Sequence, residues 1–104
     1  MEYDTETRGK WQDRAQVEIA YERARQVKRW MDEPELLSRY PDWRSYMAHK
    51  MLVLTEEVGE TSKEVLEYNQ QNALEEMIQV AAVAQAMVEG LIEINGGWSP
   101  TQSG

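Results

Sequence analysis

A chain of 104 residues supports one domain with a modest core. Cysteine is absent, which excludes disulfides and thiolate metal sites and gives no sign of an oxidising compartment. The net charge is −8, and residues 51–104 carry all of it: Lys63 stands there against nine acids, while residues 1–50 balance ten basic side chains with ten acidic ones. A field of that sign repels nucleic-acid phosphates and attracts cations. Nucleic acid is therefore not an expected partner, and a divalent metal is.

The opening "MEYDTETRGK" is polar and has no apolar signal-peptide core. The longest uninterrupted apolar run, "VAAVA" at residues 80–84, is too short to cross a bilayer. These features lead to the expectation of a soluble, cytoplasmic protein that does not meet a membrane. A single helical domain is expected over residues 1–104, with 1–10 and 97–104 flexible.

The first helix is expected from about Trp11 to Met31, with Ala15, Ile19, Tyr21, Ala24, Val27 and Trp30 set among charged and amide side chains. Pro34 and Pro41 then bracket a loop, since each disfavours helix at the residue before it. The second helix is expected to start near Asp42, an N-cap candidate, and to run to about Tyr68. Along it Met47, Met51, Leu54, Val58, Thr61 and Val65 recur at spacings of four and three, one helical stripe. "NQQN" at residues 69–72 reads as a short polar break, which makes the second and third helices an antiparallel hairpin.

The third helix, from about Ala73 to Ile94, is apolar on nearly all sides: Leu74, Met77, Ile78, Ala81 and Val88 on one, Val80, Val83 and Met87 on the other. Such a helix needs cover on nearly all sides, which two further helices do not supply. An all-α fold is expected, an antiparallel hairpin plus an N-terminal helix, completed as a bundle by homo-oligomerisation.

Two acidic clusters sit on the hairpin: Glu56, Glu57 and Glu60 on its first arm, Glu75 and Glu76 followed by Gln79 on its second. At about 100° per residue, Glu57, Glu60 and Glu64 fall within roughly a 60° wedge. Lys50 lies on the same line two turns earlier, and Glu56 points away from it. Glu76 and Gln79 share a face near the start of the third helix. A short antiparallel turn would bring these side chains into one groove. Carboxylates so gathered repel one another unless a cation lies between them. Magnesium, with manganese as an alternative, suits an oxygen donor set that leaves room for water and phosphate. The same residues also fit a simpler description, a solvated acidic face on two good helices. His49 falls away from the wedge, and Met47, Met51, Met77 and Met87 read as core fillers.

"LTEEVGETSKEVLE" followed by "ALEEMIQVAAVA" resembles the MazG-like, all-α nucleoside triphosphate pyrophosphohydrolases. Their signature is E-x-x-E, a spacer, then E-x-x-D across a helical hairpin. Here Glu57-Val-Gly-Glu60 matches the first half and Glu76-Met-Ile-Gln79 occupies the second, within a likeness covering about residues 20–93. The resemblance implies magnesium-dependent hydrolysis of an NTP or dNTP to monophosphate and pyrophosphate by a homodimer or tetramer. It implies Glu57, Glu60 and Glu76 as metal ligands with Gln79 at the fourth position, and Glu56 or Glu57 orienting the attacking water. Gln26 and Trp30 would contact the base, and Lys50 a phosphate. Gln79 departs from the signature, because an amide brings an oxygen but no charge. The tail "NGGWSPTQSG" also lacks the basic and amide cluster with which some members clasp nucleotide. Two alternatives follow: a relative that binds nucleotide or metal with weak or no turnover, and an acidic helical protein that meets a basic partner.

Overall fold

The structure, a computed structural model, describes residues 4–29 and 42–96. Among them the chain forms three helices and no strand: α1 (Thr5–Arg29), α2 (Trp43–Leu66) and α3 (Gln70–Ile94). The all-helical class is as expected. The loop read around Pro34 and Pro41, the base-contact candidate Trp30 and the tail from residue 97 lie outside the described residues.

Local capping sets where the helices begin. α1 starts at Thr5 rather than Trp11, because the Asp4 carboxylate accepts a hydrogen bond from the Thr7 amide at 2.6 Å. That bond holds the Asp4 carboxyl below its usual range. Residues 5–10, read as flexible, are thus the opening turns of a helix. Asp42 caps α2 as expected: its backbone is extended and its Oδ1 accepts from the Ser45 amide at 2.8 Å.

The turn between α2 and α3 is shorter than "NQQN" implied. The Asn69 side chain accepts from the Asn72 amide at 3.1 Å, which makes residue 69 an N-cap and places residues 70–72 inside α3. Only residues 67–69 connect the arms. The chain reverses through Tyr68, which has φ +59°, a left-handed conformation that is costly for a side chain bearing a Cβ. Gly96 adopts the same conformation, φ +66°, just beyond α3, where glycine carries no such cost.

α3 is the central element, packed by α2 along one side and by α1 along another. The buried residues are Ala82, Val83, Ala86 and Gly90 on α3 and Tyr46, Met47 and Thr61 on α2. Small residues let the axes come close. A Cβ built on Gly90 would lie 3.1 Å from Tyr46 Cε1, so glycine there is part of the fit. α1 is tied to α3 by a two-pronged pair, Arg23 Nε and Nη2 to Glu89 Oε2 and Oε1 at 3.1 and 2.9 Å. Gln85 donates to the same carboxylate, and the Arg23 bonds hold the Glu89 pKa below its ordinary value.

The stripe read along α2 divides in two. Met47 and Thr61 are buried and Leu54 is half-buried, while Met51, Val58 and Val65 are exposed. Each set repeats every seven residues, but only the first is covered. No large side chain is fully buried among the described residues. α3 is long and apolar enough to cross a membrane by length and composition, with 22% of that stretch buried. The same test is passed by core helices of soluble proteins.

Tyr68 is 93% exposed, so replacing it removes strain without removing burial. Tyr68→Gly is expected to stabilise the fold by roughly 0.5–1 kcal/mol, raising Tm by a few degrees. A thermal melt beside Tyr68→Ala, which keeps the Cβ and should gain nothing, checks this.

Candidate metal centre

The three-residue turn sets α2 and α3 antiparallel, so the last turns of one lie beside the first turns of the other. Glu57 and Glu60, one turn apart on α2, meet Glu76 from the second turn of α3. One carboxylate oxygen from each lies within 4.8 Å of the other two. Glu57 and Glu76 are half-buried and Glu60 is exposed, so the group has a floor and an open side.

Two oxygens in this group, Glu57 Oε2 and Glu76 Oε2, are shut off from solvent and accept no hydrogen bond. A buried carboxylate oxygen without a partner loses its hydration and gains nothing in return. The pKa values of Glu76 and Glu60 are raised in response. Burial, then the neighbouring Glu57 carboxyl, pushes the Glu76 pKa up. The negative charge of Glu76, followed by desolvation and the charge of Glu56, pushes Glu60 up. Glu64, also half-buried, adds its charge to the field at Glu76. Its place in the wedge was legible in the sequence, although the signature does not include it.

A divalent cation fits this donor set. Three carboxylates supply hard oxygens within 4.8 Å of one another, two of them also carry an unsatisfied buried oxygen, and the exposed Glu60 leaves a side where water or phosphate oxygens can complete a shell. The set does not by itself select magnesium over manganese or calcium.

The other sequence-derived candidates fall at different distances from this centre. Glu56 is exposed and contributes through its charge on Glu60. Gln79 is half-buried and lines a cavity of about 280 Å³ between α1 and α3, with Glu18, Tyr21, Glu22, Arg25, Glu75 and Ile78. Gln26 donates to Glu22 Oε2 at 3.3 Å, next to the two-pronged Arg25–Glu22 pair. Lys50 is half-buried, its ammonium 5.9 Å from the centre of the Tyr46 ring. His49 is exposed and outside the glutamate group. The α1–α3 cavity was not foreseen, because no periodicity in the sequence states which face of α3 receives α1.

The chain matches no family model, no curated protein and no solved structure. Arguments about its function therefore stand on its own residues.

The raised pKa values have a definite sign. Glu60 and Glu76 bind protons more tightly folded than unfolded. Their contribution to stability is full below the ordinary glutamate range and is lost as pH rises through the raised folded values. Glu89, Asp4 and Asp42, whose pKa values are lowered, act in the opposite sense and lose their contribution as pH falls. The metal-free protein is thus expected to melt higher in mild acid, just above the ordinary glutamate range, than at neutral pH. Glu76→Gln should flatten that dependence and raise the neutral Tm. Magnesium or manganese should raise the Tm of the parent at neutral pH and leave Glu76→Gln unmoved. Melts across pH, with and without metal, read all three effects.

Proposed function

We propose that this protein is a metal-dependent nucleoside triphosphate pyrophosphohydrolase of the MazG-like kind, acting in the cytoplasm as a homodimer or tetramer. One observation carries the reading: the two halves of the E-x-x-E and E-x-x-Q pattern, 15 residues apart in sequence, meet as three carboxylates with two unsatisfied buried oxygens. An acidic face that was merely solvated would leave its oxygens in water.

In this reading Glu57, Glu60 and Glu76 hold magnesium, or manganese in its place. The ion supplies positive charge for the triphosphate and an ordered water shell. The reaction adds water to the α-phosphorus of an NTP or dNTP. The bond from that phosphorus to the α–β bridging oxygen breaks, leaving monophosphate and pyrophosphate. Glu57 or Glu56 orients the water. Lys50, on the α2 line that leads to Glu57, is the phosphate-contact candidate. Gln26 remains a base-contact candidate on α1.

A second reading, nucleotide or metal binding with little turnover, is favoured by Gln79. The residue at the signature's fourth position carries no charge and lines the α1–α3 cavity. A carboxylate there would add a fourth charge beside the group, and its absence lowers metal affinity.

Pyrophosphate release from a panel of ribo- and deoxyribonucleoside triphosphates, with magnesium or manganese, tests the proposal. Metal-dependent release is expected, with a loss of at least a hundredfold in Glu57→Ala, the scale of removing one electrostatic group from a reacting centre. Gln79→Asp is expected to raise the rate. If the parent is inert and Gln79→Asp alone releases pyrophosphate, the binding reading replaces hydrolysis.

A further inference from the structure

We infer that Gln79 selects the nucleobase, favouring one with an exocyclic amino group, adenine or cytosine. The choice of nucleotide as ligand rests on the hydrolysis reading above; the choice of base rests on the cavity between α1 and α3. Gln79 stands where the signature has an acid, yet its side chain borders that cavity. It is half-buried and makes no hydrogen bond among the described residues. A carboxamide so placed offers an acceptor oxygen and two N–H donors to whatever enters.

The cavity adjoins the metal centre along α3. Glu75 directly precedes Glu76, and Gln79 follows it by one helical turn, about 5.4 Å along the axis. Both Glu75 and Gln79 line the cavity. A phosphate held at Glu57, Glu60 and Glu76 thus leaves a ribose to bridge one turn of helix. The volume of about 280 Å³ lies just under the roughly 300–1,000 Å³ of small-molecule sites, which suits one base rather than a whole nucleotide. Ile78 gives an apolar wall on α3, and Tyr21, 74% exposed on α1, brings a ring on which a base can stack.

The polar lining sets the preference. Arg25, the basic side chain of the cavity, is committed to Glu22, donating to its two oxygens at 2.8 and 2.6 Å. Gln26 adds a third bond to Glu22 at 3.3 Å. Glu75 accepts from Gln71 through Oε1, and Glu18 accepts from Arg14 through Oε1. The second oxygen of each keeps its capacity to accept, and an ionised carboxylate never donates. Adenine presents N6–H beside a ring-nitrogen acceptor, which a glutamine side chain meets with two bonds, and cytosine presents N4–H to a carboxylate. Uracil and thymine present the carbonyl O4 instead, which an acceptor-rich lining repels.

The test is calorimetric binding of adenosine, cytidine and uridine monophosphates to the full chain, with magnesium present. The adenosine or the cytidine compound is expected to bind about tenfold or more tighter than the uridine one, the worth of one well-placed two-bond pair. Gln79→Met, which keeps the length of the side chain and removes its amide, is expected to erase that difference. Manganese affinity without nucleotide is expected to be equal in parent and Gln79→Met, which a metal-ligand role for residue 79 would not allow. Equal binding of the three compounds, tightest binding of uridine monophosphate, or no binding of any would overturn this role for Gln79. So would an unchanged base order, or a lowered manganese affinity, in Gln79→Met. The parent's base order is read without any variant, so it decides the matter even where Gln79→Met fails to fold. Pyrophosphate release separates the two readings. Release from every triphosphate alike keeps hydrolysis and removes base selection, whereas base-ordered binding without release keeps base selection and removes hydrolysis.

Discussion

The close packing of α2 against α3 is the constraint on which the rest depends. It starts at the turn, where Asn69 caps α3 and Tyr68 accepts a left-handed backbone so that three residues reverse the chain. It ends at Gly90, where the missing side chain admits the Tyr46 ring. Between those points Ala82, Val83 and Ala86 of α3 are buried. With the axes this close, Glu57 and Glu60 come within reach of Glu76. A looser hairpin would let each carboxylate reach water separately, and the group would become an ordinary acidic surface.

This arrangement stores electrostatic repulsion in the metal-free chain. Two carboxyls have raised pKa values and two oxygens lack partners. Folding tolerates this only because the apolar seam nearby stabilises more than the cluster costs. A cation bound there would reverse the balance, since the groups that destabilise the empty site would become its ligands.

The hairpin and the acidic residues were legible in the sequence. Asp42 announced the start of α2, the apolar spacing announced its helicity, and the Glu57–Glu60 and Glu76–Gln79 pairs announced their faces. Helix ends were less legible. Asp4 and Asn69 act through side-chain oxygens on amides three residues ahead, and both were read as polar residues outside the helices they begin. The α2 stripe misled in another way. Spacings of four and three describe a helix face, but they do not separate the half that is covered from the half that remains open.

Residue spacing by itself determined that this chain is helical, that it folds back once through a polar turn, and that glutamates of both arms lie near that turn. These are local properties, governed by about 100° of rotation per residue and by capping chemistry. Tertiary structure decided which flank of α3 receives α1, which oxygens lose their water, and that Gln79 borders the α1–α3 cavity. Those outcomes depend on how closely axes approach and on which faces compete for cover. No one-dimensional pattern carries that information, because the same apolar side chain satisfies either neighbour equally well until the backbone has closed.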